Sequence, residues 1–340
     1  MKSAYLVGES MIKTVDEEFS YQLEANEVLV DIKSTTICAS DIKHYIRGLK
    51  EDKGPVILGH EASGIISDIG PGVIDLNVGD RVSIEPQLYC GKCLQCRRGR
   101  TNICENQQFM ARGGFPGSLV EKKIWPASKC HKIPEKMSYE AAALLEPMSI
   151  ATNAIQKIDF SVTDTIAING SGGIGMLGRI VINAIDPNVK VYMLDISDEK
   201  LNLCRQIGVE NTEYINTSGK YELEPIDAIM ELSGVPSAAM EVFRFLRPGG
   251  YFGAIGFNRK HEQLPIALED IIFKSATIVG NGLFVDTWPY LLKLIPESER
   301  GIKFMEKVVS KTYDIDECDK AFKDCVNNRN HLKIAVNCNR

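Results

Sequence analysis

Cys90, Cys93, Cys96 and Cys104 stand in the pattern C-x2-C-x2-C-x7-C. Four thiolates in one short loop suit the tetrahedral donor set of a closed, structural zinc site. Lys92, Arg97 and Arg98 in the same loop partly offset the charge of a tetrathiolate. A ferredoxin-type iron–sulfur run starts with this spacing, but its fourth cysteine comes sooner and precedes a proline, neither of which holds here. Two disulfides or a coincidence of spacing are the other readings, and in a cytosolic enzyme closely spaced cysteines more often bind metal. A second donor set is spread along the chain. Cys38 stands in Thr36-Ile37-Cys38-Ala39-Ser40-Asp41, His60 in Gly59-His60-Glu61-Ala62-Ser63-Gly64, and Glu146 in Leu145-Glu146-Pro147. A thiolate, an imidazole and a carboxylate can hold zinc and leave one position open, as Lewis-acid catalysis requires. Taken singly, each is an ordinary buried cysteine or satisfied polar group. The combination with the cysteine quartet carries the inference.

The third feature is Asn169-Gly170-Ser171-Gly172-Gly173-Ile174-Gly175, which contains G-x-G-x-x-G between an apolar strand and a helical stretch. The glycines permit a tight turn and let the backbone approach a pyrophosphate at the helix N-terminus. Asp195 ends the next strand, twenty residues past Gly175. A carboxylate there accepts hydrogen bonds from ribose hydroxyls and repels a 2′-phosphate, so NAD is expected rather than NADP. Ile196 and Ser197 follow it, not an arginine.

These residues need elements to hold them. Up to residue 148 the chain reads as strands and irregular loops, with period-two or bounded apolar runs at Val28–Ile32, Gly59–Ile66, Val78–Ile84 and Ser118–Ile124. From Thr165 strands and helices alternate. Strands are read at Thr165–Ile168, Val189–Leu194, Asp227–Leu232 and Tyr251–Ile255, and helices at Gly173–Ile185, Asp198–Gln206 and Ser237–Leu246, the last stopped by a turn at Arg247-Pro248-Gly249-Gly250. That alternation predicts a doubly wound parallel sheet. Helices at Thr287–Ile295, Gly301–Ser310 and Asp316–Asn327 and a strand at His331–Val336 form a tail that returns to the first domain.

The 340 residues are 44% hydrophobic and 25% charged, with a net charge of −6 and ten cysteines. An acidic chain with a pI of about 5.6 does not suit a nucleic-acid binder such as a zinc ribbon, which would carry a basic face. No apolar run approaches the roughly 20 residues of a membrane span. The N-terminus lacks a signal-peptide core, so a cytoplasmic location is expected.

Taken in order, the Cys38/Ser40-Asp41 segment, the Gly-His-Glu box, the four-cysteine loop, Glu146-Pro147 and the glycine fingerprint resemble the zinc-containing medium-chain dehydrogenase/reductase family, most closely its sorbitol (polyol) dehydrogenase branch, over essentially the whole chain. The resemblance implies an α/β protein in which a GroES-like, β-rich catalytic domain (1–148 and 283–340) is interrupted by a Rossmann NAD-binding domain (149–282). It implies two zincs per subunit and hydride transfer between a secondary alcohol (polyol, sugar alcohol or its phosphate) and NAD. A threonine-type dehydrogenase and a non-catalytic zinc- and nucleotide-binding relative are the alternatives. Cys38 and His60 match the catalytic zinc ligands, and Glu61 and Glu146 match two carboxylates that reach the metal. Ser40 matches a proton-relaying hydroxyl and Asp41 a residue that orients the zinc-binding histidine. Ile174, Lys200 and Ile255 match positions near the cofactor. Homodimers and homotetramers are the family habit.

The chain also departs from the polyol pattern. His44, followed by Tyr45, stands where those enzymes carry a tyrosine, and Leu283-Phe284 replaces an Arg-Tyr pair ahead of Thr287-Trp288-Pro289. The loss of that pair points to a less polar or differently shaped pocket. Lys43, Arg47 and Lys50 read as a solvated face or as a seat for a phosphorylated or acidic substrate. His131, His261 and His331, with Cys130, Cys204, Cys318, Cys325 and Cys338, read as core or surface residues.

Overall fold

The computed structural model describes residues 1–49, 54–256, 262–298, 300–328 and 330–339. Lys50 and His261 lie outside the described residues. Val28, Val30 and Ile32 are fully buried on the strand Glu27–Thr36, which is the axis of a seven-stranded sheet. On one side it pairs antiparallel with Glu61–Ile69, which in turn pairs with Arg81–Ile84 and then Cys130–Lys132. On the other it pairs with Lys122–Pro126 along its first half and Lys333–Asn337 at its end. The register sets Thr36 opposite Glu61 on one side and Ala335 on the other. Directly opposed residues share a face, and residues two apart along a strand do as well. Thr36, Glu61 and Lys333 therefore lie on one face of this sheet. A three-stranded sheet (Met11–Asp16, Lys2–Gly8, Val56–Ile57) belongs to the same unit.

This part is less purely β than its sequence suggests. Helices Ala39–Arg47 and Tyr139–Ala143 interrupt the strands, the helix Leu145–Ile155 begins at the end of this part and runs into the second unit, and the first and last of the three carry site residues at their ends. Pro147 falls in the first turn of Leu145–Ile155, where the lost N–H has no intrahelical acceptor and costs nothing.

The second unit holds a six-stranded, wholly parallel sheet in the order Thr212–Asn216, Lys190–Asp195, Thr165–Asn169, Ile226–Glu231, Leu246–Ala254, Thr277–Gly280. Counted along this unit the order is 3-2-1-4-5-6, the doubly wound arrangement whose switch point lies between the first and fourth strands. The Arg247-Pro248-Gly249-Gly250 turn is replaced by an irregularity within the strand Leu246–Ala254. Its pairing jumps from Ile226↔Leu246 to Ala228↔Tyr251, and Gly249 takes φ 80°. Extra residues are absorbed as a bulge without ending the strand.

The compact units are Met1–Pro147 with Trp288–Leu292 and Val309–Arg340, and Met148–Thr287 with Lys293–Val308. The partition at 148/283 is thus corrected for the C-terminal segment: residues 283–287 and 293–308 belong with the dinucleotide-type sheet. Ile302, Phe304, Met305 and Val308 make one buried face on the helix Gly301–Val308, which packs on the helices Gly173–Ile185 and Asp198–Ile207. Burying that apolar stripe decides which unit the helix joins.

Candidate functional site

Cys38 follows the end of Glu27–Thr36 and caps the helix Ala39–Arg47. Its sulfur accepts the Ser40 N–H at 3.5 Å and the Ser40 hydroxyl at 3.3 Å, while Asp41 Oδ2 accepts the Cys38 N–H at 3.3 Å. Asp41 Oδ1 lies 3.5 Å from His60 Nδ1, with both side chains buried. An imidazole held through Nδ1 presents Nε2 to a metal, the usual support for a ligating histidine. Burial opposes charge on both groups, but the Asp41 carboxylate and the Cys38 sulfur raise His60 well above its ordinary pKa. His60 and the N–H groups of Cys38 and Gly59 likewise hold Asp41 below its own, against burial.

Donor atoms of Cys38, His60 and Glu61 all lie within 4.8 Å of one another, a group that could hold a metal ion. Glu61 has a partner that the sequence did not suggest. Lys333 Nζ reaches its two carboxylate oxygens at 2.5 and 2.6 Å, and Thr36 Oγ1 donates to it as well. Lys333 is buried; burial pulls its pKa down, but the nearby negative charges, Glu61 first, more than compensate and keep it above its ordinary value. Glu146 is 4% exposed. Burial and the charge of Glu61 push its carboxyl up to about 7, against the opposing charges of His60, Lys333 and Arg112.

Beside this group is a cavity of about 330 Å³ lined by Gln107, Gln108, Phe109, Arg112, Gly113 and Phe115. The Phe109 ring meets His60 edge-on, centroids 5.4 Å apart, and the Arg112 guanidinium sits 4.6 Å above the Phe109 ring. The other suspected charges are elsewhere: Lys43 and Arg47 are exposed on the helix Ala39–Arg47. Tyr45 is 1% exposed, hydrogen-bonded to Asp319 at 3.1 Å and tilted against Phe322, so it is a packing residue.

The four-cysteine loop closes on itself. Sulfurs of Cys90 and Cys104 are 3.6 Å apart, those of Cys93 and Cys104 3.9 Å. A tetrahedron with zinc–sulfur bonds of about 2.3 Å has edges of about 3.8 Å; these two separations match it, and all four sulfurs lie within 4.8 Å of one another. Backbone N–H groups of Cys90, Cys93, Cys96 and Asn106 point at these sulfurs at 3.3–3.5 Å. Those of Lys92 and Cys93 draw Cys90 down to about 6, which favours the thiolate a metal needs.

In the second unit Gly170 takes φ 109°, and a side chain on Gly175 would lie 2.2 Å from the Gly170 carbonyl oxygen. Gly172 has open space before it and caps the helix Gly173–Ile185 with no side-chain hydrogen bond. Its first N–H groups thus remain for a phosphate, and Gly173 and Ile174 lie in that first turn. Asp195 ends its strand and accepts the N–H groups of Ser171 and Ser197, each at 3.0 Å, so one carboxylate ties the glycine loop to the next helix. The Lys200 N–H is capped by Ser197 Oγ at 3.3 Å. Ile255 follows the strand Leu246–Ala254 and donates its N–H to the Glu231 carbonyl at 2.9 Å. At the switch point Asn169 donates to the Glu231 carboxylate, which also accepts the Ser233 hydroxyl at 2.5 Å and the Gly234 N–H at 3.0 Å. Burial raises the Glu231 pKa. Its place at a buried strand end was the only sequence signal available for it.

The remaining residues are structural. His131 binds Glu85 at 3.0 Å and stacks on Trp288. Phe284 is buried in the second unit, and the Leu283 carbonyl accepts from Asn153. Cys130, Cys204, Cys318 and Cys338 are buried thiols and Cys325 a partly buried one.

Residues 24–135 match the model of the alcohol dehydrogenase GroES-like domain, and residues 173–297 that of the zinc-binding dehydrogenase. D-xylulose reductase A of Aspergillus oryzae is 30% identical over 282 residues, covering 78% of this chain and 77% of that protein. Sorbitol dehydrogenase of Arabidopsis thaliana is 26% identical over 352 residues, covering 98% and 94%. Among solved structures, an Escherichia coli CFT073 alcohol dehydrogenase complexed with NADH superposes with a TM-score of 0.86 at 25% identity, covering 99% of both chains. Domain models in both units and relatives along nearly the whole length agree with the metal-type clusters and the glycine loop: the chain is an oxidoreductase that belongs to the zinc-dependent medium-chain dehydrogenase/reductase family, in its sorbitol dehydrogenase-like branch.

Proposed function

We propose that the protein reversibly oxidises a secondary alcohol of the polyol class to a ketone, with NAD as the hydride acceptor. The observation that carries this reading is the enclosed Cys38–His60–Glu61 group, in a chain similar to a D-xylulose reductase and a sorbitol dehydrogenase. Cys38, His60 and Glu61 would hold the catalytic zinc, with Glu146 reaching it directly or through water, and Cys90, Cys93, Cys96 and Cys104 the structural one. Bound zinc supplies Lewis-acid stabilisation of negative charge on the substrate oxygen, and bound NAD takes up the hydride. Asp41 keeps His60 in the ligating orientation. Ser40 Oγ accepts the proton leaving the substrate hydroxyl and passes its own outward. Gly170, Gly172, Gly173, Ile174 and Gly175 cradle the pyrophosphate, and Asp195 accepts from the adenosine ribose while Lys200 and Ile255 border the cofactor. The NADH in the E. coli neighbour supports that choice of nucleotide.

Homo-oligomerisation belongs to the same reading. The strand Thr277–Gly280 ends its sheet, and Leu268, Ile272, Phe273 and Ile278 around it are exposed, an edge that a second copy would cover. Ten free thiols and two metal-type clusters suit a reducing, cytoplasmic setting. No helix among the described residues is long and apolar enough to cross a membrane.

The test is NADH formation with sorbitol, xylitol, threonine, galactitol 1-phosphate and simple secondary alcohols, with NAD and NADP, before and after chelation, alongside zinc content. Two zincs per subunit and chelator-sensitive turnover of a polyol with NAD are expected. Turnover of threonine alone replaces the substrate class. Silence from protein holding one zinc makes the chain a non-catalytic relative.

A further inference from the structure

Arg112 is exposed, and its charge is among those that act on Glu146. Among the described residues its guanidinium makes no ion pair, although the chain as a whole is acidic. It lies over Phe109 at 4.6 Å, and Phe109 is the ring packed on His60. The cation is thus one aromatic ring away from a donor of the metal group, on the wall of the 330 Å³ cavity. That volume is within the range of small-molecule sites. Gln107 and Gln108 add side-chain amides to the same wall, and Phe109 and Phe115 supply its apolar part. The backbone around Arg112 is unusual: Ala111, Gly113 and Gly114 take φ 61°, 63° and 97°. A left-handed alanine costs conformational energy, and such strain persists where the surrounding structure dictates the position of a side chain. A cation resting on a ring face is held in place by the ring quadrupole. A guanidinium fork is the side chain best matched to two oxygens of a carboxylate or phosphate.

We propose that this cavity binds an anionic end of the substrate, a phosphate ester or carboxylate on the carbon chain remote from the reacting hydroxyl, and that Arg112 is the residue that selects it. This deepens the polyol dehydrogenase reading and rests on it. A neutral polyol leaves Arg112 solvated, whereas an anionic one gains a charge-assisted pair beside an aromatic wall. The Lys43 and Arg47 face lies on another element and takes no part.

The experiment compares kcat/KM for glucitol, glucitol 6-phosphate and gluconate in the zinc- and NAD-loaded full chain, for wild type, Arg112→Ala and Arg112→Lys. The ratio of anionic to neutral substrate should fall about tenfold or more in Arg112→Ala, the scale of a charged hydrogen bond, and recover in part in Arg112→Lys. It should also shrink as salt is raised, because the cation is exposed. The phosphate and carboxylate arms distinguish the two anions. In parallel, glucitol 6-phosphate is titrated calorimetrically into the NADH complex of each variant. Weaker binding to Arg112→Ala supports the assignment even if the oxidised carbon differs from that of glucitol. An unchanged ratio, or equal calorimetric affinity of wild type and Arg112→Ala, overturns it. Loss of all alcohol turnover in zinc-replete wild type would instead sink the polyol reading, with the calorimetric arm still deciding whether Arg112 binds anions.

Discussion

Lys333 shows how one buried charge can hold a metal-type group together. Its ammonium and the Glu61 carboxylate are 7% and 1% exposed, and removing one partner of a buried ion pair leaves the other charge uncompensated. Replacing Lys333 with Met should therefore destabilise the zinc-free protein by about 3–5 kcal/mol, read from urea unfolding. The double variant Lys333→Met/Glu61→Gln should regain much of that loss because no unpaired charge remains. A single variant costing under about 1 kcal/mol would show that water or another group satisfies Glu61.

At the scale of elements, Asp319 ties three together. Its carboxylate accepts the Ile12 N–H of the first hairpin at 2.8 Å and the Tyr45 hydroxyl at 3.1 Å, and it pairs with Lys323 at 2.7 Å on its own helix. Burial alone would raise its pKa, but these hydrogen bonds outweigh that and hold it below its ordinary value of 3.8. A lowered folded-state pKa contributes stability that is complete above the unfolded value and disappears as pH falls through the folded one. Asp319→Asn should therefore lose stability at neutral pH and show a smaller loss below about pH 4, in thermal melts taken across pH. Parallel losses at all pH values would mean that packing, not charge, is what the substitution removes. Helices also explain part of what pattern reading overlooked. Ala39–Arg47 is too short for a periodic signal. Leu145–Ile155 is buried nearly all round, so no polar face alternates with an apolar one.

For the whole molecule, the proposed assembly through the exposed edge around Thr277–Gly280 can be tested. Phe273 is 76% exposed and Ile272 62%, the kind of apolar strip that an interface covers. Phe273→Asp should shift the protein toward monomer in light scattering behind size exclusion while leaving zinc content unchanged. A wild-type protein already monomeric at micromolar concentration would rule that edge out as an interface.

The chemistry of the donors was legible in the chain because each motif is local. The four sulfurs from Cys90 to Cys104 come from a single loop, and Gly170 to Gly175 makes one turn between a strand and a helix, so spacing alone encodes both. The alternation of strands and helices after Thr165 likewise predicted the parallel sheet, since each apolar strand must be covered on both faces. Spacing carries no information about partners brought together only by folding. Glu61 and Lys333 are 272 positions apart and meet because the register of Glu27–Thr36 places both neighbouring strands on one face. The side of the division on which Gly301–Val308 falls depends on which surface buries its apolar stripe, and Arg112 gains its meaning only from the ring it rests on and the histidine behind that ring. The sequence by itself determined which ions and nucleotide the chain has donors for, whereas the tertiary structure alone decided what surrounds them, because burial and charge pairing depend on distance in space and not on distance along the chain.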